Sequence, residues 1–87
     1  MIRIWAKTIK DEKITKSQII EIDDIYHSSK FGSFVMRICD TLDIPTPLVI
    51  YSHKFNFTNF NIARFKSTDF VEEVDFDTLV LENAIEQ

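Results

Sequence analysis

Two stretches of alternating side chains at the start of the sequence, joined by a short charged corner, constrain the fold of this chain most. Residues 2–9 alternate between an apolar set and a more polar set, which is the period-two pattern of a β-strand with two different faces. Residues 14–22 form a second run directly after the charged corner at residues 11–13. The two stretches therefore predict an N-terminal β-hairpin.

The length of the hairpin loop decides which residues face each other. A three-residue loop places Arg3 opposite Glu21, an attractive pair, although the loop lacks the glycine that its third position prefers. A two-residue loop instead places Lys7 opposite Lys16, which is repulsive. The charge pattern therefore favours the three-residue loop. Its other cross-strand pairs are Ile2 with Ile22, Ile4 with Ile20, and Lys10 with Ile14.

The next segment changes to helical spacing. At about 100° per residue, the apolar side chains of residues 31–42 fall within one arc, which predicts an amphipathic helix. Ser28 or Ser29 is the predicted N-cap, and Pro45 prevents the helix from continuing. Gly32, the only glycine of the chain, lies in the first turn and predicts the close approach of another backbone. The apolar arc consists of Phe31, Phe34, Val35, Ile38 and Leu42, with Cys39 at its edge.

The second half of the chain completes the predicted fold. Residues 48–51 are a continuous apolar run, which predicts a buried strand. Residues 55–65 allow either a short helical turn or an irregular loop held down by its Phe side chains. Residues 67–69 predict a turn or short helix, and residues 78–84 predict a final strand. Together these elements predict a single α+β domain of 87 residues, with the main helix packed on one face of a small antiparallel or mixed sheet.

Charge is divided sharply along the chain. Residues 1–66 carry ten Lys and Arg and seven Asp and Glu, whereas residues 67–87 carry seven acids and no base. Apolar residues interrupt this acidic tail and are expected to pin it to the core; they are Phe70, Val71, Val74, Phe76 and Leu79. Its carboxylates then form either a solvated surface or an acidic interaction face for a basic partner. The residues of this candidate face are Asp69, Glu72, Glu73, Asp75 and Asp77.

Aromatic and basic residues interleave before the acidic tail, as they do in stacking platforms for single-stranded nucleic acid. The net charge of −4 and the missing arginine cluster weaken this hypothesis, because electrostatic attraction dominates nucleic-acid affinity. Nucleic acid is therefore the less favoured partner, kept as the alternative. The candidate contact residues are Lys54, Phe57, Phe60, Arg64, Phe65 and Lys66.

The sequence offers few groups for catalysis. Cys39 borders the apolar arc of its helix, where a thiol is usually inert. His27 lies near Asp23 and Asp24, but a single imidazole is too few for a typical zinc site, and His53 is predicted to be structural. One glycine does not permit a phosphate-binding loop. The sequence therefore predicts a protein that is not an enzyme and that holds no cofactor and no metal ion.

Cysteine content and hydropathy bear on location. The chain has a lone cysteine, its N-terminal segment is charged and lacks an apolar leader, and no run of about eighteen apolar residues occurs. These features predict a cytoplasmic protein with no membrane partner. The leading hypothesis is a non-catalytic protein-interaction module with an unidentified partner.

Four parts of the sequence carry a resemblance that covers nearly the whole chain. They are residues 2–7 (Ile-Arg-Ile-Trp-Ala-Lys), residues 43–47 (Asp-Ile-Pro-Thr-Pro), the pair Arg64-Phe65, and residues 69–77. In this overall pattern the chain resembles a family of small, uncharacterised bacterial proteins of similar length. The resemblance implies a stand-alone intracellular bacterial domain, and it implies no activity.

Overall fold

The computed structural model describes residues 1–84, which form one four-stranded antiparallel sheet with two helices packed on one face. The strands lie in the order β2-β1-β4-β3. This arrangement confirms the predicted α+β class. The elements are β1 (Ile2–Lys10), β2 (Lys13–Ile22), α1 (Phe31–Leu42), α2 (Tyr51–Phe60), β3 (Ile62–Lys66) and β4 (Thr78–Asn83), with short 3₁₀ turns at Ser28–Lys30 and Ser67–Asp69. Over these residues, no helix combines the length and the apolar character needed to cross a membrane.

The hairpin keeps the predicted register over most of its length, but its turn is tighter than predicted. Arg3 lies opposite Glu21, as the charge pattern indicated. At the tip, however, Lys10 pairs with Lys13, so only residues 11–12 form the turn. Both of these residues have positive φ, 51° and 66°, the geometry of a type I′ hairpin turn. The predicted three-residue loop is therefore wrong.

A β-bulge in β2 reconciles the tight turn with the predicted register. Thr15 is the extra residue, because its neighbours Ile14 and Lys16 pair with consecutive residues of β1. The insertion shifts the pairing by one residue and brings Ser17, rather than Lys16, opposite Lys7. The bulge thereby avoids the lysine–lysine repulsion that had argued against a two-residue turn.

Helix α1 covers the predicted residues, but the interactions that begin and end it differ from those predicted. Ser28–Lys30 forms a 3₁₀ turn before it, and no side chain caps the first turn of α1 itself. The predicted serine cap is therefore wrong. The His27 side chain caps the 3₁₀ turn instead. At the other end, Asp43 takes a left-handed conformation, and the N–H of Ile44 donates to the carbonyl of Cys39 at 3.0 Å. The helix thus ends through backbone contacts before any proline is reached.

One core fills the space between α1, α2 and the inner face of the sheet. The apolar arc of α1 is buried as predicted, and Phe31 packs against Phe57 of α2 and Phe65 of β3, with ring centroids 5.4 and 6.4 Å apart. Alternate residues of the strands face these helices, which confirms the two-faced pattern of the N-terminal run. The buried strand residues on this face are Ile2, Ile4, Ala6, Thr8, Ile20, Ile22, Ala63, Phe65, Leu79 and Leu81.

The prediction of a buried strand at residues 48–51 is wrong. These residues are exposed, and the position beside β4 is taken by β3. Their backbone is held by other partners: the N–H of Leu48 donates to the carbonyl of Asp69, and the N–H of Ile50 donates to Nδ1 of His53. Residue 50 therefore begins a helix rather than continuing a strand.

Residues 55–65 are more regular than either alternative predicted. Helix α2 continues to Phe60, and Asn61 ends it in a left-handed conformation with φ of 63°. Strand β3 then begins at once and turns Ala63 and Phe65 into the core. The predicted turn at Ser67–Asp69 and the predicted last strand, β4, are both confirmed.

Gly32 does not allow the close backbone approach that its position predicted. A Cβ atom built on Gly32 meets nothing within 4 Å, and the residue lacks positive φ. Glycine in a helix costs up to about 1 kcal/mol relative to alanine. Neither the backbone conformation nor the packing of the fold offsets this cost.

Candidate functional site

The outer face of the sheet carries no helix, but its central side chains are engaged with one another. Nζ of Lys7 lies 2.9 Å from Oε1 of Glu82 and 3.9 Å from the centroid of the Trp5 ring. The Trp5 indole N–H donates to the Ser17 hydroxyl at 2.7 Å. Val80, on the same face, is 4% exposed. The Trp5 indole on this face is therefore already engaged with Lys7 and Ser17.

Exposed apolar side chains concentrate at the start of α2 and along one side of it. Each of six residues is between 37% and 71% exposed. Three of them form a row of rings, with centroids 5.8 Å apart for Tyr51 and Phe55 and 6.0 Å apart for Phe55 and Phe60. Contiguous apolar exposure of this kind is typical of interaction sites. The six residues, called here the α2 surface, are Leu48, Val49, Ile50, Tyr51, Phe55 and Phe60.

Positive charge borders the α2 surface. Residues 44–68 contain three bases and no Asp or Glu. Lys54 is half-buried on α2, between Tyr51 and Phe55 in the sequence, and Arg64 lies with Phe60 beside a depression of about 380 Å³. In the part of the chain that the structure describes, neither Lys54 nor Arg64 has an ion pair or a side-chain hydrogen bond. The surface therefore combines apolar rings with unneutralised positive charge.

The candidate nucleic-acid residues separate into two groups. Phe57 is 2% exposed and Phe65 is 0% exposed, so neither ring is available to stack on a base. Phe60, by contrast, is 63% exposed and lies beside Arg64. Lys54 and Lys66 retain access to solvent. Tyr51 was not among the predicted contact residues, because the apolar run at residues 48–51 predicts a buried strand; its spacing of four from Phe55 is nevertheless a helical signal.

The candidate acidic face is likewise divided. Asp69 accepts the backbone N–H of Lys66 at 2.8 Å, and Asp77 accepts that of Asp11 at 2.9 Å. These two carboxylates therefore stabilise turns of the fold. The remaining three lie in the bend between the second 3₁₀ turn and β4 and are exposed. They are Glu72, Glu73 and Asp75.

Two of the predicted apolar anchors hold this bend. Phe70 and Phe76 are buried and pack edge to face, with centroids 5.3 Å apart. Val74 is partly buried against the core, but Val71 is 80% exposed and anchors nothing.

His53 is engaged on both ring nitrogens. Its Nδ1 accepts the N–H of Ile50 at 3.1 Å, and its Nε2 lies 3.4 Å from Oδ2 of Asp69. The ring also packs on Phe65 at 4.2 Å between centroids. With Nδ1 acting as an acceptor, Nε2 is the nitrogen that can donate towards Asp69. His53 therefore holds the start of α2 against the turn Ser67–Asp69.

The other candidate catalytic groups lie apart from one another. Cys39 is buried, and burial raises the pKa of its thiol to about 12, so the thiolate needed for nucleophilic attack is suppressed. His27 is exposed and bonded to Ser29. Within residues 1–84, no three His, Cys, Asp or Glu side chains are grouped to hold a metal ion. A depression of about 540 Å³ near Arg3 and Asp24 contains no imidazole or thiol.

Comparison with protein-family models, curated proteins and solved structures finds no match for this chain. The α2 surface is the feature that the fold does not explain, because a lone domain gains more stability by burying large rings than by exposing them.

Proposed function

We propose that this protein is a non-catalytic protein-interaction module whose contact surface is the α2 surface. The observation that carries this proposal is the exposed row of rings Tyr51, Phe55 and Phe60. Aromatic side chains supply most of the energy at many protein interfaces, since they bury a large area with little loss of side-chain freedom. The ordered helix α2 presents them in one arrangement before any partner binds.

The proposed partner is a protein segment that carries apolar and acidic side chains. The apolar residues would pack on the rings, while carboxylates would meet the positive charge of Lys54 and Arg64. Such complementarity contributes more to association rate and specificity than to affinity. The buried, protonated thiol of Cys39 suits a reducing compartment, and we place the interaction in the cytosol.

Two observations disfavour a catalytic function on these residues. His53 uses both ring nitrogens within the fold, and Cys39 is held in its thiol form. The groups from which a nucleophile and a base would be drawn are therefore committed to structure.

Single-stranded nucleic acid is the second candidate. Phe60 beside Arg64 is the arrangement that favours it, because exposed rings next to cations can stack bases and hold phosphates. Against it, residues 48–50 are aliphatic and have no ring on which a base can stack. The net charge of −4 also repels a polyanion at long range.

A peptide library displayed on phage and selected on the intact protein tests the proposal. We expect the selected peptides to combine apolar with acidic residues. They should bind the double variant Phe55→Ser/Phe60→Ser at least about tenfold more weakly, which corresponds to about 1.4 kcal/mol. Met36→Ser is the matched control, because Met36 is equally exposed on α1 but lies outside the α2 surface.

The proposal fails if binding survives the double variant or is lost equally in the control. A labelled single-stranded oligothymidylate is titrated in parallel. Oligonucleotide binding that weakens steeply with salt and depends on Phe60, in the absence of selected peptides, would replace the protein partner by nucleic acid.

A further inference from the structure

Gly32 lines a cleft between the start of α1 and the segment that leads into α2. The cleft has a volume of about 400 Å³. Phe31 lies beside Gly32 at the start of α1, and Ile50 and Tyr51 of the α2 surface line the cleft with them. Any side chain at position 32 would start from open space, since its Cβ meets nothing within 4 Å. The one glycine of the chain therefore keeps this cleft accessible, whereas the fold itself has no need of it.

The electrostatics of the cleft favour a negative group. Lys54 lies at the cleft and has no ion pair among the residues that the structure describes. No Asp or Glu lines it. The first turn of α1 also contains no acidic residue, so the positive end of that helix dipole is uncompensated by side chains.

The wall of the cleft is held in place by the fold. Ile50 lines the cleft, and its backbone N–H donates to His53. Leu48 lies outside the lining, and its N–H donates to the carbonyl of Asp69, which holds the segment that leads into the cleft. A ligand would therefore find the cleft already formed and would lose little free energy in ordering it.

We infer that this cleft is the anchoring pocket of the α2 surface, and that it binds an apolar side chain of an acidic peptide segment with a neighbouring carboxylate at Lys54. The inference rests on the proposed function and specifies which part of the partner enters. The apolar lining of the cleft selects an apolar side chain, and the positive charge of Lys54 selects a neighbouring carboxylate. Gly32 acts by leaving room for the anchor.

Three substitutions in the first turn of α1 test this pocket. Gly32→Gln fills the cleft without charge, and Gly32→Glu fills it with a carboxylate. Ser33→Glu is the matched control, because it adds the same charge to the same turn at an exposed residue outside the cleft. All three variants are expected to fold, since glutamine and glutamate are good helix formers and acids are favourable at a helix N-terminus.

Affinity is measured by fluorescence anisotropy with labelled peptides selected on the intact wild-type protein, and folding by thermal unfolding. We expect Gly32→Gln to weaken binding about tenfold, Gly32→Glu about a hundredfold, and Ser33→Glu less than about twofold. The difference in affinity between Gly32→Gln and Gly32→Glu measures the effect of placing a negative charge near Lys54. The unfolding temperatures of both Gly32 variants should equal or exceed that of the wild type.

If Gly32→Glu binds the peptides with wild-type affinity, the cleft is not the anchoring pocket. If Phe55→Ser/Phe60→Ser still abolishes binding of the same peptides, the proposed function stands and only the pocket fails. If neither set of variants changes binding, both fail. An oligothymidylate that binds the wild type and is excluded by Gly32→Glu, with no peptide selected, would assign the cleft to nucleic acid instead.

Discussion

The imidazole of His53 lies with its Nε2 3.4 Å from Oδ2 of Asp69, and this contact joins the start of α2 to the turn that follows β3. The same carboxylate accepts the N–H of Lys66, and the carbonyl of Asp69 accepts the N–H of Leu48. Two segments separated along the chain are thereby fixed together. The exposed rings of the α2 surface are consequently presented on rigid backbone.

Replacement of His53 should separate its hydrogen-bonding role from its packing role. In His53→Ala the N–H of Ile50 loses its acceptor and the ring leaves Phe65, so we expect a loss of about 2–3 kcal/mol in the free energy of unfolding. His53→Gln should recover about 1 kcal/mol, because a glutamine in the third helical position can reach back to the same N–H. Urea unfolding measures both values, and equal losses would contradict the capping role.

The hairpin turn should be stabilised by glycine. Glu12 has a φ of 66°, a left-handed conformation that a residue with a Cβ adopts at a cost of about 1 kcal/mol. Glu12→Gly creates the Asp-Gly pair that type I′ turns prefer, and we expect the midpoint of thermal unfolding to rise by about 3–6 °C. Lys13→Gly is the control, since Lys13 lies in β2 and should lose stability.

Two phenylalanines of the candidate nucleic-acid set should differ sharply in their contribution to stability. Phe65 is 0% exposed, so Phe65→Ala is expected to cost about 3–5 kcal/mol through lost burial and the cavity left behind. Phe60→Ala should change stability by less than about 0.5 kcal/mol, because that ring is 63% exposed. Chemical denaturation of the two variants checks the assignment, and similar losses would show that it is wrong.

Stability should fall at alkaline pH because of Cys39. Burial raises the pKa of this thiol from 9.0 to about 12, so the unfolded chain ionises before the folded one does. The stabilisation is complete below pH 9.0 and is lost as the pH rises towards 12, by at most about 1.4 kcal/mol per pH unit. Cys39→Ala removes this contribution. Urea titrations between about pH 9 and about pH 11 should therefore show a shallower decline in the variant than in the wild type; parallel declines would refute the assignment.

Local patterns were sufficient for the hairpin and for α1. In β1 and α1 the apolar residues repeat with the period of the structure that they form, so burial and backbone conformation favour the same residues. In β2 only Ile20 and Ile22 are buried. The pairing of Arg3 with Glu21 followed from charge alone. The length of the turn did not follow from the charges. A bulge at Thr15 adds one residue to β2 without changing which face of either strand is buried.

The candidate site depended more on long-range contacts. Interleaved aromatic and basic residues made residues 54–66 the candidate nucleic-acid segment, and within it Lys54, Phe60 and Arg64 are exposed or half-buried. Spacing alone did not separate Phe60 from Phe57. The orientation of α2 against β3 makes that distinction, since it turns Phe57 towards Phe31.

The sequence by itself determined that this chain folds as an α+β domain with a two-faced hairpin and a one-sided helix, because those elements carry their own periodicity. Only the tertiary structure determined the conformation and the exposure of the apolar run at residues 48–51. Four consecutive apolar residues show no periodicity, so their pattern fits a buried strand as well as it fits part of a helix. The hydrogen bonds of Leu48 and Ile50 to Asp69 and His53, with β3 already beside β4, leave that run at the surface as part of the α2 surface.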